Sequence, residues 1–137
     1  MALVVVDTDV VSFRFKKDTR ARPYKRHLVG QDPLIAFMTL AELHAWALQR
    51  RWGATRRGEL ARHLGQYEVL YADEALCHLW SEVWVQARRK GRPIEVADGW
   101  IAATALALDV PLLTHNPADF AGVDGLTILS ATTHEGS

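Results

Sequence analysis

One cysteine in 137 residues leaves little room for thiol chemistry. Cys77 alone excludes an internal disulfide and a cysteine-built metal cluster. It falls at helical spacing with Ala75, Leu79 and Trp80, which predicts a buried thiol. Long apolar runs are missing too. Ala2–Val6 has no basic stretch ahead of it and is too short for a signal peptide. Trp100–Leu108 is too short to span a bilayer, so a soluble cytoplasmic protein without a membrane partner is expected. No GxxxxGK or GxGxxG loop is present, which removes P-loop and Rossmann nucleotide binding. Neither an HExxH zinc pattern nor a Ser-His-Asp order competes for the chemistry, and the six histidines are scattered. Finally, Lys and Arg are absent after Arg92, whereas residues 93–137 hold six acids.

That last absence makes a net charge of zero misleading. The sixteen bases lie in three groups. The first is Arg14, Lys16, Lys17, Arg20, Arg22, Lys25 and Arg26, interrupted only by Asp18. The second is Arg50, Arg51, Arg56, Arg57 and Arg62, and the third is Arg88, Arg89, Lys90 and Arg92. Solvated helix faces explain the third group. The first packs seven bases into thirteen residues just after Asp7 and suits a polyanionic partner. Length and an apolar fraction of 49% fit one globular domain over residues 1–137, with 131–137 as a frayed tail.

Leu3–Val6 reads as a buried strand, β-branched and without polar alternation, as parallel strands usually are. Pro23 should open a helix that stops at Gly30. Strand Pro33–Met38 should lead into an amphipathic helix Thr39–Arg51, with Leu40, Leu43, Ala47 and Trp46 inward. A helix over Ala54–Gln66, a strand at Val69–Tyr71, and a long helix capped by Asp73 follow. The remainder predicts a helix Asp98–Leu108, a strand Pro111–Thr114, a helical turn, and a last strand Thr127–Leu129. Strands alternating with helices define an α/β fold, a three-layer α/β/α sandwich with a central parallel sheet of about four to five strands.

Against this frame four carboxylates stand where strands give way to helices: Asp7, Glu42, Asp98 and Asp119. Gaps of 35, 56 and 21 residues separate them, so only the fold can gather them. An open parallel sheet does so beyond the carboxyl ends of its strands. Gathered acids resist ionisation unless a cation neutralises them, which points to a divalent-metal site for phosphate-ester chemistry. Each acid also has an ordinary structural explanation. Asp7 or Asp9 can cap the first helix, Thr39-x-x-Glu42 matches a capping box, and Asp98 can be an N-cap. Asn116-Pro117-Ala118-Asp119 has the order of a helix start with an acid in its first turn.

Four segments together carry a resemblance. They are Val5-Val6-Asp7-Thr8-Asp9-Val10-Val11-Ser12, Thr39-Leu40-Ala41-Glu42-Leu43, Ala97-Asp98-Gly99-Trp100-Ile101-Ala102-Ala103-Thr104-Ala105 and Leu113-Thr114-His115-Asn116-Pro117-Ala118-Asp119-Phe120. In this order and spacing, over essentially the whole chain, they resemble PIN-domain proteins, and among them the VapC toxins of bacterial toxin–antitoxin pairs. The resemblance implies Mg²⁺- or Mn²⁺-dependent hydrolysis of an RNA phosphodiester, with tRNA or ribosomal RNA as substrate. It also implies a homodimer neutralised by a cognate antitoxin. It assigns Asp7, Glu42 and Asp98 to the acidic metal site. Many relatives carry an acid where Asn116 stands, so Asp119 is the candidate fourth ligand, with Asn116 orienting water or phosphate. Asp9 replaces a frequent Asn and adds a charge. Thr8 and Ser12 are candidate helpers, and Arg14, Lys16, Lys17 and Arg20 are candidate RNA contacts. His115 either touches a substrate phosphate or lies on the surface. Trp46, Trp52, Trp80 and Trp84 either line partner surfaces or pack inside. Two rival readings are a PIN scaffold that binds without cutting and a HAD-like phosphatase using Asp7 and Asp9.

Overall fold

The computed structural model describes residues 2–131. Strand β1 (Leu3–Val6) runs into helix α1 (Thr8–Lys16), followed by a 3-10 segment (Thr19–Tyr24) and the short α2 (Lys25–Leu28). Next come β2 (Asp32–Ala36), α3 (Phe37–Gln49), α4 (Ala54–Leu64), β3 (Glu68–Leu70), α5 (Glu74–Arg89) and α6 (Val96–Leu108). The chain then forms β4 (Leu112–Leu113), a 3-10 turn (Pro117–Phe120) and β5 (Ile128–Leu129). All four strand pairings are parallel, in the order β3-β2-β1-β4-β5. This is the expected three-layer α/β/α sandwich, with five strands.

The layers follow from the two-residue period of a strand. Val4 and Val6 of β1 face a cluster with Val10, Val11, Phe15, Leu43, Leu60 and Leu64, which lays α1, α3 and α4 on one face. Val5 faces the other way, into Leu34, Ile101, Ala102, Ala105 and Val83, under α5 and α6. The chain builds β2 and β3 on one side of β1 before returning to place β4 and β5 on the other. That reversal opens a crevice beyond the carboxyl ends of β1 and β4.

Several local expectations give way. Strand β2 ends at Ala36, so α3 starts two residues early and Thr39 lies inside it, fully buried. No capping box forms there. Asp98 is not an N-cap either; Glu95 occupies that position, and Asp98 sits in the first turn of α6. Pro23 falls within the 3-10 segment, and only Lys25–Leu28 is α-helical before Gly30 takes φ +75°. Cys77 is exposed: the buried stripe of α5 is Leu76, Val83 and Ala87, and the thiol lies off it. Asp73 does cap α5, accepting from the Leu76 N–H at 2.8 Å. Leu43 and Ala47 are buried as expected, while Leu40 and Trp46 are half-buried. Of the expected tail, Ala131 packs against the core and the rest lies outside the described residues.

Candidate active site

Asp7 leaves β1 at its carboxyl end, where Val5 and Val6 register with Leu112 and Leu113 of β4. Its backbone N–H donates to the Leu113 carbonyl at 2.9 Å, which fixes the residue beside Thr114. Both carboxylate oxygens are engaged. Oδ1 accepts from the Thr8 N–H at 2.7 Å, so Asp7 caps α1, and Oδ2 accepts from Thr114 Oγ1 at 2.7 Å. The cap explanation is therefore true of Asp7 but uses only one oxygen. Burial pushes its proton affinity well above the ordinary carboxylate range, and the neighbouring charge of Asp9 adds to this.

Three successive residues leaving β4 hold the first two acids. Thr114 is fully buried; its hydroxyl donates to Asp7 and accepts from the Asn116 N–H at 3.1 Å. Asp9 Oδ2 accepts from the His115 N–H at 3.2 Å and from Asn116 Nδ2 at 2.7 Å. Asp9 too is shifted upward, by burial against these opposing hydrogen bonds. His115 is neither a phosphate contact on view nor a plain surface group. Its Nδ1 lies 2.6 Å from the hydroxyl of Tyr24, and its ring meets Phe13 and Tyr24 edge-on at 5.1 and 5.8 Å.

Glu42 reaches the pocket from the second turn of α3. Its Oε1 accepts from Thr8 Oγ1 at 2.6 Å, and Thr8 Oγ1 also lies 2.9 Å from Thr39 Oγ1. A hydroxyl has one proton, and Thr8 gives its own to Glu42, so Thr39 is the donor to Thr8. Asp98 enters from α6 and holds its proton up to about pH 6, through burial first and then the charges of Asp119 and Glu42. Asp119, exposed in the 3-10 turn, completes the ring.

Together Asp7, Thr8, Asp9, Ser12, Glu42, Asp98, Asn116 and Asp119 line one open cleft of about 370 Å³, with Leu43 and Trp46 at its edge. Five carboxylates thus share it with no Lys or Arg in the lining. Among the described residues no group of three Asp, Glu, His or Cys side chains is poised to hold an ion unaided. The donors suit a hard divalent cation that takes one or two carboxylates and keeps water and substrate oxygens for its other positions.

Sequence reasoning missed Tyr24, Thr39 and Thr114. Thr39 and Thr114 lie in two of the four segments that carry the resemblance, and a hydroxyl close to a carboxylate in sequence was the available signal. Nothing local pointed to Tyr24, whose partner is 91 residues away. The expected RNA contacts divide. Arg14 donates to Tyr67 Oη at 2.6 Å, and Lys16 Nζ lies 5.6 Å from the centre of the Trp46 ring. Arg20 grips Asp18 at 2.7 and 3.1 Å and covers Phe13. Lys17 is exposed. Trp46 and Trp52 pack on Phe15, while Trp80 stacks on Trp84 and Trp100.

A parallel five-stranded sheet with an acid-lined crevice at its reversal defines the class, and the family comparison agrees: the model of the PIN domain matches residues 4–126. The chain belongs to the PIN-domain family. Within it, the resemblance is to VapC proteins. Ribonuclease VapC1 of Haemophilus influenzae (strain R2866) is 29% identical over 128 residues, covering 90% of this chain and 94% of that one. Ribonuclease VapC5 of Mycobacterium tuberculosis (strain ATCC 25618 / H37Rv) is 28% identical over 123 residues, 88% and 87% of the two chains. Among solved structures, VapBC-1 from nontypeable Haemophilus influenzae superposes with a TM-score of 0.75 at 25% identity, over 96% of this chain and 99% of that one. VapBC2 from Rickettsia felis, bound to a DNA fragment from its promoter, shares the fold with a TM-score of 0.82 at 19% identity, over 93% and 98%. No helix among the described residues is long and apolar enough to cross a membrane.

Proposed function

We propose that this chain is a VapC-like endoribonuclease toxin that hydrolyses RNA phosphodiester bonds with Mg²⁺ or Mn²⁺ and is neutralised by a cognate antitoxin protein. The observation that carries the reading is the convergence of five carboxylates in one open cleft at the sheet reversal. The names of the relatives, Ribonuclease VapC1 and VapC5, support it, and the VapBC complexes among the fold neighbours support the antitoxin. Asp7 and Asp98 are the main ligands in this reading, Glu42 a ligand or water orienter, and Asp119 the fourth acid. A bound ion would supply the positive charge that lets these acids ionise together and would make a nearby water more acidic.

The protein's own groups do the positioning. Thr114 and the Thr8 N–H fix both oxygens of Asp7, and the Thr39–Thr8 pair aims Glu42. Asn116 and the His115 N–H tie down Asp9, leaving Asp98 and Asp119 to face substrate and solvent. In the reaction, a water oxygen forms the new bond to phosphorus, the P–O3′ bond breaks, and O3′ leaves with a proton. The products carry a 5′-phosphate and a 3′-hydroxyl. Arg14, Lys16, Lys17 and Arg20 supply the field that draws in the RNA, and a homodimer is the expected assembly.

The deciding experiment is cleavage of end-labelled tRNA and ribosomal RNA by purified protein. Cutting with Mg²⁺ or Mn²⁺, silence in EDTA, and 5′-phosphate ends are expected. Undiminished cutting in EDTA would sink the metal mechanism, and RNA binding without any cutting would leave a scaffold. Sedimentation velocity checks the dimer.

A further inference from the structure

We infer that the cleft between α1 and the 3-10 segment is a discrete subsite for the RNA backbone, holding phosphates that flank the bond that is cut; the inference rests on the RNA-hydrolysis reading above. Arg14, Lys17, Arg22 and Lys25 line this cleft of about 500 Å³, over a floor that includes Ala21, Leu28 and Val29. Arg22 and Lys25 belong to the first basic group without having been singled out as RNA contacts; Lys16 and Arg20, which were, do not line it.

Three observations give the cleft its ligand. First, its one acid is already neutralised: Arg20, from outside the lining, takes both oxygens of Asp18 and holds that carboxyl below its ordinary range. None of the four lining bases has an ion-pair partner among the described residues. Four positive side chains around one cleft want a polyanion. Second, the cleft is built, not draped. Tyr24, fully buried, pins the 3-10 segment to the end of β4 through His115 Nδ1 and the Thr114 carbonyl, and Tyr67 Oη fixes Arg14. Third, α1 lines both clefts, the acidic one with Thr8 and Ser12 and the basic one with Arg14. At ~1.5 Å per residue, Thr8 and Arg14 are ~9 Å apart along the axis. That offset exceeds the spacing of consecutive phosphates along a strand, so the basic cleft meets the backbone beyond the phosphate held at the acids. The exposed Val29 and the half-buried Leu28 give a ribose an apolar surface to lie on.

The test uses a fluorescent single-stranded RNA of twelve nucleotides, with binding read by anisotropy in EDTA so that no cleavage is needed. Replacing both exposed bases, Arg22→Gln with Lys25→Gln, should weaken binding about tenfold. Its salt dependence should flatten by about 1.4 in log–log slope, two contacts at ~0.7 each. Removing two bases elsewhere, Arg88→Gln with Arg89→Gln, should leave affinity within about twofold. The charge-preserving pair Arg22→Lys with Lys25→Arg should restore affinity and slope, which a merely unfolded variant would not allow. Equal losses from the two Gln pairs would overturn the subsite in favour of a diffuse field. Unchanged affinity and slope in Arg22→Gln with Lys25→Gln would also overturn it and leave the cleft to a protein segment. Wild type that binds in this pattern yet never cuts with Mg²⁺ or Mn²⁺ would remove the ribonuclease reading and keep the subsite.

Discussion

Asp98 titrates near pH 6 in the metal-free fold and near 4 in an unfolded chain, and the sign of that difference is testable. A carboxyl that binds its proton more tightly when folded costs nothing while both states are protonated. Its cost grows as pH rises from about 4 through about 6, where the folded form must carry the charge. Asp98→Asn removes that cost. In EDTA, urea midpoints of variant and wild type should coincide near pH 4 and separate by pH 7, the variant being more stable by on the order of 1 kcal/mol for a partly open group. Identical pH profiles would show that Asp98 is not crowded. With millimolar Mg²⁺ the order should reverse, because an ion bound only by the folded state stabilises wild type alone. Thr114 predicts a second effect. Thr114→Val keeps the shape but leaves a buried oxygen of Asp7 and the Asn116 N–H without their partner. A loss of about 2–3 kcal/mol in the same unfolding assay is expected, with cleavage falling beyond what the lost stability explains.

Among the elements, α5 and α6 meet at Val96 and Gly99, on either side of Asp98 in sequence. Trp80 Nε1 donates to the Val96 carbonyl at 3.1 Å, and its ring crosses Gly99 so closely that a Cβ there would lie 2.6 Å from Nε1. Gly99→Ala gains up to ~1 kcal/mol of helix propensity, yet the indole must move. Net destabilisation of about 1–2 kcal/mol, with an altered near-ultraviolet tryptophan signal, is expected; a more stable variant with an unchanged spectrum would mean the ring is free to shift. This contact also marks the limit of what the chain discloses on its own. Strands and most helices were legible because Val4, Val5 and Val6, or Leu43 and Ala47, write their burial in local periodicity. Asp7 was legible because it leaves a strand where the topology opens a crevice; Glu42 and Asp98 stand instead inside α3 and α6, and α6 follows α5 with no strand between them. The Tyr24–His115 bond and the burial of Thr39 inside α3 depend on partners distant in sequence or on where a strand stops. Local patterns carry no trace of them.

Over the whole molecule, charge is sorted: acids gather at the carboxyl ends of the strands, and the first basic group flanks them across α1. Like charges that close together should make the metal-free protein sensitive to screening. NaCl should raise its melting temperature modestly, whereas MgCl₂ at equal ionic strength should raise it more by occupying the acidic cleft. Equal responses would mean that Mg²⁺ acts only as an electrolyte. The bracket from β4 has a different kind of consequence, one of timing. Asp7 and Asp9 are translated well before the groups that hold them, Thr114, His115 and Asn116, which are 106 or 107 positions downstream. Contacts of such sequence separation form late, since the loop between them must close first. A nascent chain halted before β4 therefore carries its leading acids with nothing to fix them. A cell making this protein meets the assembled cleft only after the segment that leaves β4 has been translated.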